Sequence, residues 1–195
     1  RKGQRIGIIG PNGIGKSTLL KTLLKKIPKL SGTIKFGANL EIGYYDQEQQ
    51  QLHPEKTVLE EVWDDHPEVS EKDIRSLLGS FLFVGDDVYK PVSALSGGEK
   101  ARLELTKLSF MPINFLILDE PTRGIDVGTK TEIQKLVVKL ANEGMSVVFI
   151  SSEVEEMLRT VTHMGILRDG EKVGELEESE LSQENVMKAI AGGDK

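Results

Sequence analysis

The sequence predicts an α/β fold: a mostly parallel sheet flanked by helices, with a small helical subdomain inserted. Three features carry the prediction. The runs "QRIGII", "NFLILD" and "MSVVFIS" are short and largely apolar, as strands covered on both faces must be. Segments with apolar residues at helical spacing separate them, so the strands are joined by crossovers and run parallel. Residues 48–95 are instead polar and helical in pattern, without a buried-strand run. The 195 residues then form one domain, with a core at 1–47 and 96–195 and a helical subdomain at 48–95.

Taken in order, "QRIGII" is the first strand and "KSTLLKTLLKK" the first helix, with Pro28 beyond its end. "TIKF" and "LEIGYY" are short β-rich runs. Thr57 with Glu60 forms a capping box heading a short helix that carries Val58, Leu59, Val62 and Trp63. Ser70 with Asp73 opens another, reaching about Leu78. Ser96 precedes the amphipathic "KARLELTKL". The strand "NFLILD" leads to a helix around 128–142 and then to "MSVVFIS". A helix from about Glu153 precedes "HMGILRDGEKVGEL", a hairpin turning at Asp169-Gly170. The last helix, about 182–191, stops at Gly192-Gly193.

Composition narrows the function classes. Net charge is −6 with no basic block, so no direct nucleic-acid binding is expected. The absence of cysteine excludes disulfides, thiolate metal sites and a cysteine nucleophile. Apolar runs fall far short of the ~20 residues that span a bilayer. No signal peptide is visible, and the expected location is cytoplasmic.

Chemistry enters at "GPNGIGKST", Gly10–Thr18. A strand before it and a helix after it supply the context in which G-x-x-x-x-G-K-[ST] is a phosphate-binding loop. Gly10, Gly13 and Gly15 admit backbone conformations that a side chain forbids. The loop, with Pro11, Asn12 and Thr18, can then turn its amides onto an anion, and the helix N-terminus adds donors. Lys16 supplies a mobile cation for the outer phosphates, and the Ser17 hydroxyl a ligand for Mg²⁺. In "FLILDEP", Phe115–Pro121, two carboxylates end a buried strand, which needs a cation or donors nearby. That end of a parallel sheet is where ligands bind. Asp119 is placed to hold Mg²⁺ through water, and Glu120 to orient or deprotonate the water attacking a γ-phosphate. In "LSGGE", Leu95–Glu99, Ser96 can cap a helix while Gly97 and Gly98 let its amides approach an anion. Alone, that pattern suits an ordinary helix start equally well.

Together, "GPNGIGKST", "LSGGE" and "FLILDEP" resemble the nucleotide-binding domain of the ATP-binding cassette (ABC) family, over essentially the whole chain. The resemblance implies a P-loop NTPase fold, ATP and Mg²⁺ as ligands, and ATP hydrolysis as the activity. It implies that Gln47 in "YYDQ" touches Mg²⁺ and the attacking water, and that Asp126 in "TRGID" is the D-loop aspartate. It also implies a second copy, or another cassette, as partner. In that family two domains pair head to tail, and each ATP lies between one P-loop and the partner's signature serine, here Ser96.

The resemblance is uneven. Residues 1–121 look like the ABC-F class, soluble twin-cassette proteins that act on ribosomes. Residues 122–195, beginning "TRGIDVGTK", look like the second cassette of ribose- and galactose-type sugar importers. The change falls around Thr122-Arg123, as in a chimera. A ribosome or a transporter membrane subunit is the larger partner each half implies. Two departures bear on activity. The family has an aromatic residue upstream of the P-loop strand that stacks on adenine, whereas this chain begins at Arg1, so affinity should rest on phosphates and Mg²⁺. The family's switch histidine is replaced by Ser152, which offers no charged donor to the γ-phosphate, so turnover should be slow. His163 lies too far along to substitute and is expected on the surface.

Overall fold

The computed structural model describes residues 2–46 and 52–191, and Gln47 lies outside the described residues. Six strands form one sheet: β1 (Arg5–Ile9), β2 (Ile42–Asp46), β3 (Phe115–Asp119), β4 (Ser146–Ser151), β5 (His163–Arg168) and β6 (Glu171–Glu177). Their order is β2-β3-β4-β1-β5-β6, with every neighbouring pair parallel except β5 and β6. The hairpin turns at Asp169-Gly170, whose φ values of 52° and 81° are the left-handed pair that a two-residue connection between twisted strands favours.

Helices cover both faces, because alternate residues along a strand point opposite ways. On one side Leu116, Leu118 and Phe149 join a core completed by α4 (Gly97–Phe110), α5 (Val127–Asn142) and α6 (Val154–Thr160). On the other, Ile117, Val148 and Ile150 pack against Leu20 of α1 (Lys16–Leu23). The final helix is α7 (Gln183–Ala191). Among the described residues no helix is long and apolar enough to cross a membrane.

Residues 52–95 hold α2 (Val58–Trp63), α3 (Glu71–Ser80) and two 3₁₀ turns, Gly85–Tyr89 and Val92–Ala94. Thr57 and Glu60 form the expected capping box, and the Ser70 hydroxyl accepts from the Asp73 amide at 3.2 Å. Val58, Val62, Ile74, Leu78, Phe81 and Phe83 belong to the same apolar cluster as the sheet face. Beneath them Glu61 is fully buried. It accepts from the His53 amide at 3.1 Å and pairs with Lys107 of α4, which also lies 3.2 Å from Asp65.

One expected strand does not form. Residues 33–36, "TIKF", lie outside any strand of the sheet, and Phe36 stays exposed with the Lys25 ammonium over its ring. A β-rich run becomes a strand only where a neighbour accepts its hydrogen bonds, and the sheet's edge there is β2.

Candidate nucleotide site

The phosphate loop is shaped by its glycines. A Cβ on Gly10 would lie 2.6 Å from the Leu167 carbonyl oxygen, so only glycine lets the chain leave β1 so close to β5. Gly13 and Gly15 have φ of 80° and 100°. Gly15 is the N-cap of α1 and offers no side chain to its first amides, which leaves that helix end open to an anion. Pro11, Asn12, Gly13 and Thr18 form the exposed rim, while Lys16 is buried at 5 % exposure. Its ammonium donates to the carbonyls of Gly10 at 2.8 Å and Pro11 at 3.2 Å.

The carboxylates at the end of β3 meet this loop. The Ser17 hydroxyl donates to Asp119 Oδ1 at 3.0 Å, and the Tyr44 hydroxyl donates to Oδ2 at 3.3 Å. Glu120 follows in the left-handed region at φ 49°, a conformation that non-glycine residues adopt at a cost and that clusters at functional sites. Its amide donates to the Ile150 carbonyl at 3.0 Å, which pins the turn. Its Oε1 lies 3.3 Å from Lys16 Nζ, outside hydrogen-bonding geometry, and is buried without a hydrogen-bond partner among the described residues. Lys16, Ser17, Asp119 and Glu120 therefore converge at the C-terminal ends of parallel strands, with one buried oxygen left to accept a proton donor.

The remaining expected residues sit elsewhere. Ser96 caps α4, its hydroxyl accepting from the Glu99 amide at 3.2 Å while Glu99 accepts from the Ser96 amide at 2.8 Å. Burial pushes the Glu99 carboxyl up, but the Ser96 bonds outweigh it and hold it below the usual range. Gly97 is exposed. Gly98 is buried, and a Cβ there would lie 2.0 Å from Thr129 Cγ2, so this glycine serves close packing of α4 on α5. Asp126 caps α5, accepting from the Thr129 amide at 3.0 Å and its hydroxyl at 2.7 Å, bonds that hold its carboxyl below the usual range.

Ser152 is exposed just past β4. Its buried neighbour Ser151 donates to Glu156 Oε2 at 2.7 Å and accepts from the Glu153 amide at 3.0 Å. Lys130 of α5 pairs with Glu153 and lies 3.5 Å from Glu156, so the turn bearing Ser152 is anchored to α5. Burial lowers the Lys130 pKa, but these carboxylates raise it further, above its ordinary value. His163 is half-buried, with Nε2 2.7 Å from Glu177 across the hairpin. Sequence reasoning missed both the Glu156 anchor and Tyr44. Period-two alternation along "IGYYD" was the available signal for Tyr44, since it places Ile42 and Tyr44 on the α1 face.

The family described as ABC transporter matches residues 1–123. The chain is 54 % identical over 137 residues to YdiF of Bacillus subtilis strain 168, named as an ATP-binding protein, which covers 70 % of this chain and 21 % of that one. It is 38 % identical over 177 residues to the ATP-binding protein Uup of Escherichia coli strain K12, covering 89 % and 27 %. This chain thus spans under a third of the length of either relative. The Uup match runs well past Thr122, so a chimeric origin finds no support there. In structure, the chain superposes with a TM-score of 0.72 on a dimeric, post-hydrolysis ATP-binding cassette, MJ0796, bound to ADP and phosphate; identity is 23 %, and 91 % of this chain and 87 % of that one are covered. That likeness shows the fold, and the identities over most of the chain show more. The chain belongs to the ABC transporter family.

Proposed function

We propose that this domain binds ATP together with Mg²⁺ and hydrolyses it slowly, in the cytoplasm, between two copies paired head to tail. The observation that carries the reading is the Ser17–Asp119 contact at 3.0 Å, which joins the phosphate loop to the strand-end carboxylates. Those two side chains are hard oxygen donors on one side of the loop, and among the described residues no group of three acidic or imidazole side chains gathers to hold a metal alone. That donor set fits Mg²⁺, which keeps several waters and takes one or two protein oxygens beside substrate phosphates. Ser17 and Asp119 would hold it, with Gln47 the further ligand that the family pattern implies. When bound, the metal neutralises charge on the phosphate oxygens.

The chain's own residues supply the rest. The loop amides and the open end of α1 bind the phosphates. Lys16 gives up its contacts with the Gly10 and Pro11 carbonyls to meet the outer phosphate. Glu120, whose Oε1 has no competing hydrogen bond, orients a water and takes its proton as the water oxygen attacks the γ-phosphorus. The bond from that phosphorus to the bridging oxygen breaks, releasing ADP and phosphate. Ser96, with the amides of Gly97 and Gly98, would act on the nucleotide held by the other copy, and Asp126 would face that same partner. Residues 48–95 act as the helical subdomain in this reading. Pull-down against ribosomes and against transporter membrane subunits separates the two larger partners.

Mixing two variants tests the pairing. Lys16→Ala should weaken ATP binding at least tenfold, or ~1.4 kcal/mol. Ser96→Ala should bind ATP normally but hydrolyse poorly. An equimolar mixture should regain part of the activity, because it can assemble one intact composite site. Unchanged affinity in a folded Lys16→Ala protein overturns the site, and absence of rescue overturns the pairing.

A further inference from the structure

One hydroxyl beside the phosphate loop has no part in the steps above. Tyr44 stands on β2 opposite Ile117 of β3, with its ring on the α1 face of the sheet near Ile42 and Phe115. From there its phenol oxygen reaches Asp119 Oδ2 at 3.3 Å, while Ser17 holds Oδ1 at 3.0 Å. The Lys26 ammonium, just beyond the end of α1, lies 4.2 Å from the centroid of the same ring. A cation over the π face draws electron density from the ring, which strengthens the O–H as a donor to an anion.

We propose that Tyr44 is a positioning residue for Asp119, its hydroxyl fixing the orientation of the carboxylate that faces the nucleotide's metal. The inference rests on the site reading given above. Asp119 is only 5 % exposed, and a carboxylate so placed needs its oxygens satisfied. The hydroxyls of Ser17 and Tyr44 are not equivalent partners for it. Ser17 belongs to the phosphate loop and turns to the metal once nucleotide enters. Tyr44 is fixed in the sheet by its ladder with β3, so it can hold Asp119 in both states. The Lys26 ammonium, past the end of α1, holds the ring that carries this hydroxyl.

Tyr44→Phe tests this, because it keeps the ring, its packing and the Lys26 contact and removes only the O–H. ATP binding is titrated in excess chelator and again across Mg²⁺ concentrations, with the unfolding midpoint measured on nucleotide-free protein. Affinity without metal should match the parent, while the unfolding midpoint falls as buried Asp119 loses one donor. The Mg²⁺ concentration for half-maximal tightening of ATP should rise about tenfold, the scale of one hydrogen bond to a charged group. A purely structural tyrosine would instead weaken ATP equally with and without metal, and that result overturns the assignment. So does an unchanged Mg²⁺ requirement. If the parent chain binds no ATP, the site reading falls as well, whereas a parent that binds beside an indistinguishable variant removes Tyr44 alone.

Discussion

We propose that Ser152 stands at the position where the family's pattern places a charged donor and this chain has a short, uncharged hydroxyl. It is exposed, and its turn is held from behind by Ser151, Glu156 and Lys130, so a larger side chain there meets solvent and not core. During phosphoryl transfer the equatorial oxygens carry spread charge, and preorganised donors aimed at them lower the barrier. Ser152→His should therefore speed hydrolysis several-fold or more with ATP affinity nearly unchanged, as expected of a group acting in the transition state. Steady-state kinetics beside a binding titration checks this, and a folded, ATP-binding variant that turns over no faster removes the role. Lys16, Ser17, Asp119 and Glu120 were legible in the sequence because each sits in a motif whose backbone geometry is local. Tyr44 was not, because its partner lies 75 residues away and the contact depends on a strand register that no short pattern encodes.

At the scale of elements, helix starts were the most legible features. A hydroxyl or carboxylate three residues before its backbone donor is a local arrangement, and Thr57, Ser70 and Ser96 all form the caps their spacing predicts. "TIKF" failed for the opposite reason, since strand formation requires a neighbour that its own residues do not specify. The caps also set an acid limit. Hydrogen bonds from Thr57 and Thr129 hold Glu60 and Asp126 below the usual carboxylate range, and Ser96 holds Glu99 there against its burial. Carboxyls lowered in the folded state stabilise it fully above their unfolded pKa of about 4, and that contribution is lost as pH falls through the lower folded values. Urea midpoints followed by circular dichroism should drop steadily from about pH 4 downward. Glu99→Gln should show a shallower drop, and a slope equal to the parent's would discount this cap.

At the scale of the molecule, the sequence marked 48–95 as distinct by polarity, while the structure merges its apolar residues with the sheet's own core. Charge reinforces the union. Glu61 of α2, fully buried, is the common partner of His53, in the segment before α2, and of Lys107 on α4. Burial lowers the Lys107 pKa, but the bonds to Glu61 and Asp65 outweigh it and keep the ammonium charged. Removing one member of a buried pair strands the other. Glu61→Ala should cost about 3 kcal/mol, the low end for such pairs because Asp65 stays beside Lys107. Chemical denaturation should show one cooperative transition at lower urea. A separate early transition would mean that the helical segment unfolds independently.

The 2.0 Å gap between a Cβ imagined on Gly98 and the Thr129 methyl has a mechanical consequence. With nothing between them, the heads of α4 and α5 make one plate that carries Ser96 at one corner and Asp126 at the other. A plate tilts as a whole. If two copies pair as proposed, a partner pressing on either corner would move both, and a nucleotide beneath would be gripped from two points at once.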